Sequence, residues 1–225
     1  MSSQDGIVVI RYDDSIFVGQ EKAGVINGWG IVRLNNGDYY RGQFKDGLFH
    51  GYGEMRTQSL FYKGTFVNGA RDGLGRQVSS NKSYFGFFKE DRKHGVAIVE
   101  IDHGKEVIRG YYRSGHVQGF GILELNLGEK IFTGYFKNSK LNDIGMEQCK
   151  KYNYLGQFHD NKKHGFGMIN YTEGSKYMGS WENDLRHGHG IENSSNGDVY
   201  EGSYDKGKKT GFCKAILKEK GVVYV

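Results

Sequence analysis

The stretch Tyr40-Arg-Gly-Gln-Phe-Lys-Asp-Gly-Leu-Phe-His-Gly-Tyr-Gly53 decides the fold. Its first half alternates: Tyr40, Gly42 and Phe44 fall on one face of a strand, and Arg41, Gln43 and Lys45 on the other. A polar break follows, and His50-Gly-Tyr-Gly53 begins a return strand. Glycine ordinarily weakens a strand. Set among aromatic residues, it leaves room for a ring to lie across the backbone, so the unit reads as an ordered β-hairpin.

Outward from this stretch the pattern recurs along nearly the whole chain. Nine units start near residues 17, 40, 62, 84, 108, 132, 154, 177 and 200, each with an aromatic residue two places before a glycine, except for Ile108 in the fifth. A second ring follows that glycine at Phe44, Phe66, Phe88, Tyr112, Phe136, Phe158, Trp181 and Tyr204, and only Glu21 of the first unit breaks the rule. The return signature is sharp in His164-Gly-Phe-Gly167 and His187-Gly-His-Gly190, and worn in Asn142-Asp-Ile-Gly145 and Thr210-Gly-Phe-Cys213. The link inside a unit, such as Asp160-Asn-Lys-Lys163, reads as five or six polar residues. The link between units reads as a tight type I′ turn at Asn36-Gly37 and Asn196-Gly197. Short links make successive strands antiparallel neighbours. The expected fold is all-β: one elongated, twisted antiparallel meander over residues 1–225, a single repeat domain with partial capping strands at 6–12 and 222–225. Both caps would leave open sheet edges, which invite a homodimer or an end-to-end contact.

Composition narrows the function. Glycine is 36 of 225 residues, proline is absent, and 16 Tyr and 14 Phe accompany the glycines, which is not a disorder signature. The net charge of +5 lacks the dense basic stripe of a nucleic-acid binder, so no nucleic-acid partner is expected. Two cysteines, Cys149 and Cys213, are too few for a disulfide framework and imply a reducing, cytoplasmic setting. No apolar run is long enough to be a signal peptide or a membrane-spanning helix.

The pattern Tyr-x-Gly-x-aromatic followed by His-Gly-x-Gly resembles the MORN (membrane occupation and recognition nexus) repeat family. The resemblance implies a non-enzymatic scaffold or adaptor that organises cytoskeletal and membrane-associated structures through protein–protein interaction. It further implies a place such as a ciliary axoneme (radial spoke or central apparatus) or a protist cortex. The alternative it carries is a peripheral membrane adaptor for anionic phospholipid.

His50, His94, His164 and His187 share one repeat position, but hairpins ~10 Å apart cannot converge on one metal ion. Gly202-Ser-Tyr-Asp-Lys-Gly-Lys208 has the outline of a phosphate loop but sits between strands and has Lys209 where Ser or Thr is needed. No catalytic residue, cofactor or metal is therefore expected. The residue after the motif glycine is polar in most units but aromatic at Phe87, Tyr111 and Tyr135, with Phe85 beside Phe87. These four are the candidate partner-binding stripe. For the lipid alternative the candidates are Arg92, Lys93, Lys162, Lys163, Lys208 and Lys209, on hairpin turns diluted by acids, so membrane contact is secondary.

Overall fold

The computed structural model describes residues 6–219 and 221–224. The chain is all-β, an open antiparallel meander of consecutive hairpins, with no helix among the described residues. It divides into two compact units. The first holds β1 (Gly6–Arg11), β2 (Ser15–Lys22), β3 (Val25–Leu34), β4 (Tyr39–Lys45), β5 (Leu48–Arg56), β6 (Phe61–Val67), β7 (Ala70–Val78), β8 (Lys82–Lys89) and β9 (Arg92–Ile101). β10 (Glu106–Arg113) gives Tyr111 onward to this unit and its earlier residues to the second. The second continues with β11 (His116–Leu125), β12 (Lys130–Lys137), β13 (Lys140–Cys149), β14 (Tyr152–His159) and β15 (Lys162–Tyr171). It ends with β16 (Lys176–Glu182), β17 (Leu185–Asn193), β18 (Val199–Asp205), β19 (Lys208–Leu217) and β20 (Val222–Tyr224). Val225 and residues 1–5 lie outside the described residues.

The turn inside each unit is shorter than the sequence reading expects. Lys45 pairs with Leu48, so Asp46 and Gly47 alone make the turn, at φ of 51° and 79°. Asp160 and Asn161 do the same at 50° and 69°. Two successive left-handed residues are the type I′ turn, whose twist matches that of the flanking strands. The chain therefore enters the return strand at once, and the two residues before His-Gly already lie within that strand. The expected type I′ turn at Asn36-Gly37 is not formed: only the glycine has positive φ, and Asn36 Oδ1 accepts the Asp38 N–H at 2.9 Å.

A β-bulge explains why the motif prefers tyrosine. Gly42 faces Gly53, but the next pair is Gln43 with His50, so Gly51 and Tyr52 are extra on β5. The bulge leaves backbone groups without ladder partners. Tyr40 Oη donates to the Gln43 carbonyl at 2.8 Å, and Gln43 Oε1 accepts the Tyr52 N–H at 3.0 Å. The same tyrosine bond recurs at Tyr62, Tyr84, Tyr154, Tyr177 and Tyr200. To reach the bulge the ring must cross both glycines: a Cβ on Gly53 would meet Tyr40 Cε2 at 2.6 Å, and one on Gly42 would meet the Gly53 Cα at 2.5 Å.

The buried face is a ladder of edge-to-face rings. In the first unit Tyr40 meets Phe66 at 5.2 Å between centroids, Tyr62 meets Phe88 at 5.2 Å and Tyr84 meets Tyr112 at 5.6 Å. In the second, Tyr154 meets Trp181 at 5.3 Å and Tyr177 meets Tyr204 at 5.1 Å. Each such contact adds about 0.5–1.5 kcal/mol beyond area burial. Where the motif is worn, aliphatic side chains take the place of rings: Val107, Val117 and Leu141 are buried, with Val107 inside in place of the expected Ile108.

Candidate protein interface

The residue before His-Gly has a role the sequence reading did not assign. It lies over the tyrosine of its own unit. Phe49 stacks on Tyr40 at 3.8 Å, and cations take its place elsewhere: Lys93 stands 4.6 Å from the Tyr84 centroid, Lys163 5.3 Å from Tyr154, Arg186 4.7 Å from Tyr177 and Lys209 4.2 Å from Tyr200. Cations so placed gain a cation–π attraction.

Acids anchor these caps. Lys163, 6 % exposed, is 2.5 Å from Glu147 Oε2, and Glu147, 1 % exposed, also receives Lys130 at 2.6 Å. Burial alone would raise the Glu147 pKa, but the two ammonium groups and the Tyr152 hydroxyl outweigh it and hold the carboxyl below its ordinary range. Lys209 is 2.7 Å from Glu192, which Arg186 also reaches at 2.9 Å. Burial pulls the Lys93 pKa down to about 8.

This divides the six cations considered for lipid contact. Lys93, Lys163 and Lys209 are turned onto rings, and Lys163 is withdrawn from the surface altogether. Arg92, Lys162 and Lys208 are exposed, and so is Lys209 despite lying over its ring. The six do not form one basic surface, because successive residues of a strand face opposite ways.

The opposite face of the sheet is where exposed apolar groups gather. Phe87 pairs across β7 with Leu74 and across β9 with His94. The His94 and Tyr111 rings lie 5.9 Å apart, with Tyr111 Oη 3.5 Å from His94 Nε2. Phe85 stands between Arg76 and Ile98 in register. Phe85, Phe87 and Tyr111 are thus brought together in the first unit, all exposed, with Phe87 at 47 %. Tyr135 belongs to the second unit, where its exposed ring packs 6.1 Å from that of Phe120.

A larger set was missed in the sequence. The third residue of the return signature points outward and is large and apolar in eight units: Trp29, Tyr52, Leu74 and Val96 in the first compact unit, Phe120, Ile144, Phe166 and Phe212 in the second; glycine flanks it on both sides in five of these and on one side at Val96, Ile144 and Phe212. Only His189 departs. The signal was present, since no strand with a solvated outer face needs an apolar residue there in nearly every repeat. Alongside, in register, runs the charged row Arg41, Glu54, Lys63 and Arg76. Arg41 is 3.1 Å from Glu54, and Glu54 is held ionised chiefly by the hydrogen bond from Tyr39 at 2.7 Å.

Among the described residues, no three His, Cys, Asp or Glu are placed to hold a metal ion. A ladder of Tyr-x-Gly-x-aromatic hairpins, each ring clasped over its own bulge, is therefore the working unit. The MORN repeat model matches residues 40–59, 62–83, 84–98, 154–176, 177–199 and 200–217, more than half of the chain. The chain belongs to the MORN repeat family. No curated protein matches it. MORN repeats are typically non-enzymatic and commonly take part in protein–protein or protein–lipid interactions. The stretches without a match, 17–39 and 99–153, hold the worn first, fifth and sixth units, yet they too are built of β-strands.

Proposed function

We propose that this MORN protein is a non-enzymatic scaffold that holds a protein partner against the outward face of its sheet, within a cytoskeletal assembly. The observation that carries the reading is the row of exposed apolar residues, each with glycine on one side or both, widened at Phe85, Phe87 and Tyr111. The flanking glycines carry no side chains, which leaves the apolar surface of the row available. Exposed apolar patches rimmed by charge mark interaction sites, and Trp and Tyr concentrate binding energy. The cytoskeletal setting, an axoneme or a protist cortex in the cytoplasm, follows from the family resemblance.

The test is paired. A tagged chain is expected to remain with the detergent-insoluble cytoskeleton, and a Phe87→Ala/Tyr111→Ala variant to be released into the soluble fraction. Release of the wild-type chain by detergent, together with strong, salt-sensitive co-sedimentation with phosphoinositide vesicles, would establish the membrane adaptor in its place. The placement of Lys93 over a ring and the burial of Lys163 weigh against that outcome.

A further inference from the structure

We infer that Lys93 is a nucleophilic amine and an acylation site, taking small acyl groups from acyl thioesters. The chain builds one arrangement of side chains twice and changes it in one place. In the second compact unit, Arg186 on β17 lies over Tyr177 at 4.7 Å and Lys209 on β19 over Tyr200 at 4.2 Å. Glu192, paired with Tyr200 across β17 and β18, lies 2.9 Å from Arg186 and 2.7 Å from Lys209 and serves both. In the first unit, Arg71 on β7 lies over Tyr62 at 5.6 Å and Lys93 on β9 over Tyr84 at 4.6 Å. The residue paired with Tyr84, in the place of Glu192, is Gln77. Its amide oxygen accepts from Arg71 Nη1 at 2.8 Å but brings no charge to Lys93. Arg71 takes its carboxylate from the turn instead, with Asp91 at 2.7 Å.

Lys93 is half-buried, and among the described residues no carboxylate pairs with it: the charges that act on it are those of Lys82 and Arg71, both positive. The other groups packed about it add none. The Tyr84 hydroxyl, pushed up to about 12 by burial, stays neutral and donates to the Phe87 carbonyl at 2.6 Å. From β10 the Tyr112 ring meets that of Tyr84 at 5.6 Å. Burial, then Lys82, then Arg71 disfavour the ammonium form and bring the Lys93 pKa to about 8. Lys163 gives the contrast, since it is buried more deeply but locked to Glu147 at 2.5 Å. A desolvated lysine beside other cations is an activated nucleophile. The unprotonated Nζ attacks the thioester carbonyl carbon. The C–N bond forms, the C–S bond breaks, the sulfur leaves as thiolate and the nitrogen gives its surplus proton to solvent. The amide product is uncharged, so it removes an unpaired cation from beside Arg71 and Lys82. Half-burial limits the donor to small acyl groups.

The test is the acetylation rate of each lysine when the folded full chain is incubated with acetyl-coenzyme A, read by peptide mass spectrometry. At about pH 7.5 a lysine of this pKa has roughly a hundredfold more free amine than an ordinary one, and the weaker nucleophilicity of a less basic amine takes back roughly tenfold. Lys93 is therefore expected to react about tenfold faster than the exposed Lys89 of β8. Its rate should be half-maximal at about pH 8, and urea should erase its advantage over Lys89. Gln77→Glu copies Glu192 and should slow Lys93 about tenfold while leaving Lys89 unchanged. Circular dichroism shows whether that variant folds, and the wild-type rates and pH profile carry the test if it does not. A Lys93 no faster than Lys89 in the folded chain, a Lys93 rate still rising steeply above about pH 9, or a folded Gln77→Glu variant that acetylates Lys93 at the wild-type rate would each overturn the inference.

Discussion

At the scale of single residues, the glycines of the motif are fixed by contact and not by flexibility. Gly53 has ordinary strand φ, and its only requirement is that the Tyr40 ring crosses its α-carbon. Gly53→Ala should therefore destabilise the first unit by about 1–3 kcal/mol through overpacking, read as a lower urea midpoint. Glu147 is the other demanding position. Its pKa is held below that of the unfolded chain, so its contribution to stability is present above the unfolded carboxyl value and is lost as pH falls through the folded one. Glu147→Gln should cost about 3–5 kcal/mol at neutral pH by stranding Lys163. The difference from wild type should shrink in thermal melts as pH drops below roughly 4.5. An unchanged difference down to strongly acidic pH would show that the carboxylate is not what stabilises Lys163.

At the scale of the hairpin, the turn and the bulge share the work. All nine two-residue turns carry Asp, Asn, Gly or Ser at one or both positions, residues that tolerate positive φ or bond locally. Lys206 does neither and is held at φ 46°. Lys206→Asn should stabilise the β18–β19 hairpin by about 0.5–1 kcal/mol, measurable by denaturant titration. On the outward face the expectation is opposite in kind. Phe87→Ala/Tyr111→Ala removes rings that are exposed and lie outside the buried face, and should shift stability by no more than about 0.5 kcal/mol. A large loss of stability would mean that the rings are structural, and the release assay above would no longer report binding.

At the scale of the whole molecule, each hairpin touches chiefly its neighbours, so stability is a sum of local and nearest-neighbour contributions. The chain divides into two compact units, and its two tryptophans lie one in each: Trp29 exposed in the first, Trp181 buried in the second. Gly167→Ala is expected to lower the denaturant midpoint reported by Trp181, because its Cβ would overlap the Tyr154 ring. Gly53→Ala is expected to leave that midpoint in place. A common shift for both variants would show that the units unfold as one.

Sequence alone determined the repeat, its hairpin character and the face that is buried. Those rest on period-two alternation and on a glycine rhythm that only close ring packing requires, and both are local. What was not legible depended on where strands begin. Placing the turn at Asp46-Gly47 rather than across five or six residues moved the residue before each His-Gly into the return strand and onto a tyrosine ring. That shift made Lys93, Lys163 and Lys209 ring caps, an assignment composition could not make because cation–π contact is made across strands. The outward row from Trp29 to Val96 could have been read from the repeat, since its apolar character is visible in every unit but that of His189. Its exposure could not, because exposure depends on whether a second layer covers that face, and only the tertiary structure shows these side chains bare.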